Sequence, residues 1–215
     1  MTKQANNTIS KATLVIVSAP SGAGKTTLVN SLQQTMDDLK VSISHTTRDP
    51  RPGEINGVDY HFVSTSEFKS IQADNGFLES ARVFDHDYGT ARSTVNETLN
   101  QGIDVILEID WQGAQQVRDQ YQDCISIFIL PPSLEILEQR LRRRAQDNEA
   151  TIARRMQEAL SEISHYPAYD YLLLNDDFEQ TLDRFKCIIT ATRQLTRRQT
   201  IQQHAVLANL LNQSD

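Results

Sequence analysis

The hydrophobic and polar positions of this chain alternate between two textures. Short continuous apolar runs at Thr13–Ser18 (TLVIVS), Asp104–Ile109 (DVILEI), Ile125–Leu130 (ISIFIL) and Tyr171–Leu174 (YLLL) predict strands covered on both faces. Between them, apolar residues recur every three or four places. Leu28, Leu32, Met36 and Leu39 predict a helix over Lys25–Leu39, and further helices are predicted over 91–101, 111–120, 133–143 and on to about His165. Val41–Ser44 adds a short strand, and Asp176 followed by Glu179 marks a helix start of the capping-box kind. Strands alternating with helices predict an α/β fold, a parallel sheet between two helical layers. The last stretch, 193–212, is helical by composition, and its Leu195, Ile201, Val206, Leu207, Leu210 and Leu211 suit packing on the body or on a second subunit.

Residues 45–62 break the alternation. They carry Pro50, Pro52, Gly53 and Gly57 among Arg48, Arg51 and Asp59, which predicts a long punctuated loop of the functional kind. Strands at 59–63 and 77–84 flank a helix over Ser66–Ala73. The segment 45–90 therefore looks like an inserted mixed α/β subdomain with half-exposed strands.

Length and charge narrow the partners. A chain of 215 residues suits one domain with insertions and buries a core without staples. Its formal net charge of −7 argues against nucleic-acid affinity driven by bulk charge. No apolar run approaches the roughly 18 residues of a membrane span, so no membrane partner is expected. Cys124 and Cys187 lie far apart, forming neither a disulfide framework nor a metal pair, and a reducing cytoplasm is the expected setting. The 21 basic residues comprise 6 lysines and 15 arginines, a bias toward the side chain that binds phosphate bidentately.

Ala19-Pro20-Ser21-Gly22-Ala23-Gly24-Lys25-Thr26 fits the phosphate-loop pattern G-x-x-x-x-G-K-[ST], with Ala19 in the first glycine position. Gly22 and Gly24 let the backbone curl so that successive N–H groups face phosphate oxygens. Lys25 brings charge to the outer phosphates, and Thr26 offers a hydroxyl to Mg²⁺. A strand precedes the loop and a helix follows it, adding a positive dipole end. A nucleoside triphosphate is the expected ligand.

The loop does not name the reaction. Asp110-Trp111-Gln112-Gly113 resembles a GTPase switch, but no N-K-x-D guanine-reading motif exists in the chain. A kinase for a phosphate ester needs fixed cations opposite the loop, and Arg48 and Arg51, with the hydroxyls of Tyr60 and Tyr88, supply a phosphate pocket. Arg140, Arg142, Arg143, Arg144, Arg154 and Arg155 form a cluster that reads either as a solvated face or as a mobile lid neutralising the transferring phosphoryl group. An anionic phosphate acceptor needs no general base, consistent with five histidines that show no ligand spacing and read as structural.

At this point the residues match a known family. Ser44–Phe62 (SHTTRDPRPGEINGVDYHF) closely resembles the guanylate kinase signature, and Y-G-T at 88–90, I-D-W-Q-G at 109–113 and N-D-D at 175–177 follow in the family's order. The resemblance, of the bacterial type, covers about 13–193. It implies a P-loop NTPase-type core over 12–43, 91–140 and 158–193, a GMP-binding insert at 44–90, a lid at 141–157 and a C-terminal helix at 194–215. It also implies transfer of a phosphoryl group from ATP to GMP, and to dGMP, with Mg²⁺ held at Thr26. By position, Arg48, Arg51, Tyr60 and Tyr88 would hold the GMP phosphate, and Ser44, Glu79, Thr90, Glu108 and Asp110 would line the guanosine side. Residues 19–27, from Ala19 to Thr27, with Arg140 and Asn175, would bind ATP. Lys25, Arg48, Arg144 and Arg155 would be catalytic. Glu108 stands where the family usually has Asp, and Ala145 where it commonly has Gly; Asp85 and Asp87 have no account. The rival readings are a guanylate-kinase-like interaction domain without catalysis, and a kinase for another nucleoside monophosphate.

Overall fold

A computed structural model describes residues 12–83, 85–144 and 149–211, and of Arg144 and Ala150 the backbone alone. Phe84, Ala145 and the last residues of the C-terminal segment, named in the sequence reading, lie outside the described residues.

Five parallel strands form the central sheet: β1 (Leu14–Ser18), β2 (Leu39–Val41), β7 (Asp104–Glu108), β8 (Ile125–Leu130) and β9 (Tyr171–Leu174), in the spatial order β2-β7-β1-β8-β9. Period-two alternation sends β1 into two cores. Val15 and Val17 face α1 (Lys25–Thr35) and α7 (Phe178–Arg193), where Leu28, Leu32, Leu182 and Phe185 are buried. Leu14 and Ile16 face the other way, toward α3 (Arg92–Asn100) and α4 (Trp111–Gln120), against Val95, Leu99, Ala114 and Val117. Both faces of β1, β7 and β8 are covered, which is why they read as unbroken apolar runs; β9, expected to be covered likewise, is an edge strand that buries Leu173 and leaves Tyr171, Leu172 and Leu174 exposed. The chain is the α/β, three-layer type expected.

A second, mixed sheet is built from β3 (His45–Thr46), β4 (His61–Phe62), β5 (Phe77–Val83) and β6 (His86–Ala91), in the order β4-β3-β6-β5. The helix α2 (Thr65–Ala73) starts at a capping box, Ser64 with Glu67, and buries Phe68. Neither β3 nor β6 is predicted from sequence. The run His86–Ala91 (HDYGTA) has no apolar face, and becomes a strand by pairing antiparallel with β5 across Asp85, whose φ is +67°, and with β3 on its other side. Gly89 is required there, because a Cβ would come within 3.0 Å of the Phe77 ring and 3.2 Å of Phe68. After α4 and β8 the chain forms α5 (Leu134–Arg144) and α6 (Glu149–Ile163), which pack on each other through Leu137, Leu141 and Ala159.

Three boundaries differ from expectation. The first helix ends at Thr35, not Leu39: Met36 is extended and Asp38 turns left-handed at φ +55°, so Leu39 opens the edge strand β2 beside Asp104. Asp tolerates that conformation, and acidic residues 37 and 38 oppose the helix dipole. The cap of α7 is Asp177, which accepts from the Gln180 N–H at 2.9 Å, one residue beyond the predicted Asp176. The described part of the C-terminal segment is two helices, α8 (Thr196–Gln202) and α9 (His204–Leu211), broken at Gln203.

Candidate active site

The C-terminal ends of β1 and β7 open on one side of the central sheet, where parallel α/β folds place their ligands. A cavity of about 240 Å³ lies there, with the phosphate loop on one wall and β5, β6 and the 45–60 loop on the other.

The loop takes its curl from Gly22 (φ +92°) and Gly24 (φ +96°). Gly24 occupies the N-cap of α1 without a side-chain cap, so the first N–H groups of the helix remain for a ligand. Behind the loop, the Asn175 amide donates to the Ala23 carbonyl at 2.7 Å and Arg140 Nη1 donates to the same oxygen at 3.3 Å. A Cβ on Gly24 would meet Asn175 Nδ2 at 2.5 Å, so the glycine is needed for close approach as well as for φ. Asn175 and Arg140, expected as nucleotide contacts, thus act in this structure as braces of the loop from outside the cavity wall. Ala23 is fully buried, and Thr27 points from an exposed position on α1. Ala19, Pro20, Ser21, Lys25 and Thr26 line the cavity.

Parallel pairing sets Glu108 level with Val17, at the mouth of the loop. Its Oε2 accepts from the Thr26 hydroxyl at 3.1 Å. The resemblance put Glu108 on the guanosine side; here its carboxylate is at the phosphate end, a consequence of that register. Thr26 and Glu108 form an all-oxygen pair, which fits Mg²⁺, an ion that takes one or two protein oxygens and completes its shell with phosphate and water. No cluster of three or more His, Cys, Asp or Glu residues able to hold a metal occurs among the described residues.

On the opposite wall Arg48 is locked in a fork with Glu54, both guanidinium nitrogens 2.9 Å from the carboxylate oxygens, and donates to the Asp49 carbonyl at 2.7 Å. The Glu54 carboxylate also accepts the Arg51 backbone N–H at 2.7 Å. These bonds, the Arg48 fork foremost, hold Glu54 below the usual carboxylate range. The guanidinium carbon of Arg48 lies 5.4 Å from the Tyr60 ring centre, and Tyr60 packs edge-on to Tyr88 at 6.0 Å. Burial, then the neighbouring Tyr88 and Glu108, push the Tyr60 hydroxyl up, keeping it a neutral donor. Ser44, Arg48, Arg51, Tyr60 and Tyr88 all reach the cavity.

Glu79 is 4% exposed, and its Oε1 accepts from the Thr90 hydroxyl at 2.6 Å. Burial pushes its carboxyl up to about 7; the Thr90 bond works against this and Asp110 adds to it. Thr90 is fully buried and bears on the cavity through Glu79 alone. A Cβ on Gly113 would collide with Glu79 Oε2, so the glycine of the I-D-W-Q-G string makes room for this carboxylate. Asp110 lines the cavity while capping α4, accepting the Gly113 N–H at 2.8 Å.

The lid arginines are less gathered. Arg155 on α6 is half-buried and does not line the cavity, and the Arg144 side chain lies outside the described residues. Sequence reasoning overlooks Glu162, which reaches in from α6 and accepts the Ser21 N–H at 3.2 Å. Burial pushes it up to about 7, against the pull of Lys25. The signal was the heptad spacing from Arg155, which puts both on one face of a helix. It also overlooks Glu54 as the holder of Arg48, the apolar wall of Ala81 and Val83, and the Trp111–His165 stack at 3.8 Å.

Residues 11–192 match the family model described as guanylate kinase. A guanylate kinase of Nitrosococcus oceani is 56% identical over 92% of this chain and 98% of its own length. That of Photobacterium profundum is 56% identical over 94% and 99%. The crystal structure of guanylate kinase from Anaplasma phagocytophilum superposes with a TM-score of 0.73, at 36% identity, covering 87% of this chain and 89% of that one.

Proposed function

This chain belongs to the guanylate kinase family, a family of nucleoside monophosphate kinases, and from that premise we propose how it works: it moves the γ-phosphoryl group of ATP to the phosphate of GMP, or of dGMP, leaving ADP and the nucleoside diphosphate. One observation carries the reading. A single cavity joins a phosphate loop to a wall holding two arginines and a buried carboxylate.

ATP presents its phosphates to the N–H groups of residues 21–26 and to Lys25. Thr26, whose hydroxyl meets Glu108, would hold Mg²⁺, which would supply charge neutralisation at the phosphates. Arg48, Arg51, Tyr60 and Tyr88 grip the GMP phosphate. Arg48 arrives already oriented by Glu54, so little side-chain entropy is lost on binding. Glu79 accepts from guanine N1–H and the 2-amino group, with Ser44 and Thr90 beside it. Adenine lacks those donors and would leave a buried carboxylate unpaired, a strong basis for rejection. The acceptor is a phosphate oxygen and already anionic, so the chemistry needs alignment and charge neutralisation rather than a base. Lys25, Arg48, Arg144 and Arg155 serve the transferring group, and Asn175 and Arg140 hold the loop in shape.

The insert 44–90 and the lid 141–157 swing over the core of 12–43, 91–140 and 158–193, excluding water as two nucleotides meet in line. The described part of the C-terminal segment is tied to the core through Arg198 of α8, which bonds Thr13 and Asp104. Recycling of purine nucleotides in the cytoplasm fits these substrates, and the two thiols Cys124 and Cys187 are free. The described helices include none long and apolar enough to cross a membrane.

A coupled assay of ADP release across GMP, dGMP, AMP, CMP and UMP tests the reading. Turnover is expected with GMP and dGMP. Equal turnover with AMP, or none with GMP, overturns it.

A further inference from the structure

Glu162 has no part in the reaction just described, yet it lies inside the cavity. A carboxylate there is an oddity. The phosphate loop concentrates N–H donors and the Lys25 charge for anions, and an acid from another helix has entered that field. Its Oε2 accepts the Ser21 N–H at 3.2 Å, a donor of the set that phosphate oxygens use. Three elements face the carboxyl with charge: Lys25 on α1, Asp110 at the foot of α4, and Glu158 one turn back on α6 itself. Of these three charges only Lys25 favours the anion, helped by the Ser21 N–H.

The helix that delivers Glu162 is the one that carries Arg154 and Arg155. Residues 155 and 162 are seven apart, so they share a face, roughly 10 Å apart along the axis. Just past the end of α6, His165 stacks on Trp111 with ring centres 3.8 Å apart and planes within 11°. Trp111 follows Asp110 directly. The root of α6 is thereby pinned to the floor of the cavity, and Glu162 is the polar contact between that root and the phosphate loop.

We propose that Glu162 is an internal anion that competes with the phosphates of ATP for the phosphate loop, so that triphosphate binding displaces its side chain and, through α6, is coupled to the arginines of the lid. Glu162 is a positioning residue on this view. It holds the loop and α6 together, gives way to the nucleotide, and weakens ATP binding in exchange for linking that binding to the helix above. The carboxyl titrates near neutrality, so part of the competition is relieved by taking up a proton as ATP arrives.

This inference rests on ATP as the donor, and the experiment separates the two. Calorimetric titration of Mg-ATP into the full chain, with GMP absent, is run near neutral pH in two buffers of different ionisation enthalpy. Wild type is expected to take up a fraction of a proton per ATP bound. Glu162→Gln keeps the shape and an acceptor oxygen but loses the charge. It should bind ATP about three- to tenfold more tightly, the effect of removing one partly screened like charge, and take up less proton. An ATP affinity unchanged or weakened by Glu162→Gln overturns the proposal, as does proton uptake equal to wild type. Should that variant fail to fold, the wild-type titration decides: no proton uptake overturns the proposal. Wild type that binds no ATP at all overturns the donor assignment itself, whereas ATP binding indifferent to the substitution overturns only the role of Glu162.

Discussion

Two buried carboxyls govern how this site answers to pH. Glu79 and Glu162 are both raised by burial to about 7, and the ligands they serve pull them in opposite directions. On the proposed function Glu79 must be ionised to accept two guanine donors, so GMP affinity should climb as pH rises to about 7 and then level off. In Glu79→Gln the climb should vanish and the preference for GMP over AMP should fall by at least about tenfold, the worth of one lost charged hydrogen bond. A preference ratio unchanged in the coupled assay would remove Glu79 from the guanine pocket. The same groups bear on stability. Their folded pKa lies above the unfolded one, so between about pH 4.5 and 7 the unfolded chain has released protons that the fold retains. Stability of the ligand-free chain should therefore fall as pH rises through that window, read as a lower denaturant midpoint at the upper end.

The loop between β3 and β4 works through its internal bonding more than through its sequence of turns. Glu54 binds Arg48 by a fork and Arg51 by its backbone N–H, so one carboxylate organises both arginines that the proposed function sets on the GMP phosphate. Arg48 keeps only 11% of its side chain exposed, which makes this pair less screened than an ordinary surface bridge. Glu54→Gln should leave Arg48 free to wander. The expected result is a KM for GMP raised about five- to tenfold, with kcat changed less and the KM for ATP unmoved. An unaltered GMP titration would mean the arginine is oriented by its other contacts, the Asp49 carbonyl and the Tyr60 and Phe62 rings among them. The elements around the loop carry the same lesson. β6 is a strand despite few apolar residues because it pairs with β5 and with the distant β3, and α1 stops short of Leu39 because that residue pairs with β7; ladder hydrogen bonds outweigh local pattern in both.

The whole molecule is tied at the end of the sheet remote from the site. Asp104, 1% exposed, accepts from the Thr13 N–H at 2.6 Å, from Arg193 at 2.8 Å and from Arg198 at 2.9 Å. Arg198 also bonds the Thr13 hydroxyl. One carboxylate thereby joins the starts of β1 and β7, the end of α7 and the helix α8. Arg198→Leu removes the buried member of the two cations paired with it, leaving the partly exposed Arg193. The fold should lose about 2–4 kcal/mol in denaturant unfolding, since a buried acid loses half its compensation. Loss within 0.5 kcal/mol, the ordinary range for a surface change, would show α8 to be an accessory.

Much of this protein was legible before any coordinate. Core strands are covered on both faces, so they had to be continuous apolar runs, and Thr13–Ser18, Asp104–Ile109 and Ile125–Leu130 announced the sheet. The phosphate loop depends on local backbone geometry, and local geometry leaves a contiguous signature. Ser44–Phe62 is similarly contiguous, and so Arg48, Arg51 and Tyr60 could be named. What remained hidden depends on residues that meet only after folding. Glu162 enters the phosphate loop from 141 residues away, Asn175 braces Ala23 across 152, and Glu108 meets Thr26 because strand register sets it there. A chain pattern records which face a residue takes. Which distant groups then share that face is decided by packing the layers together, and at this site that packing sets where each carboxylate goes and which protons it keeps.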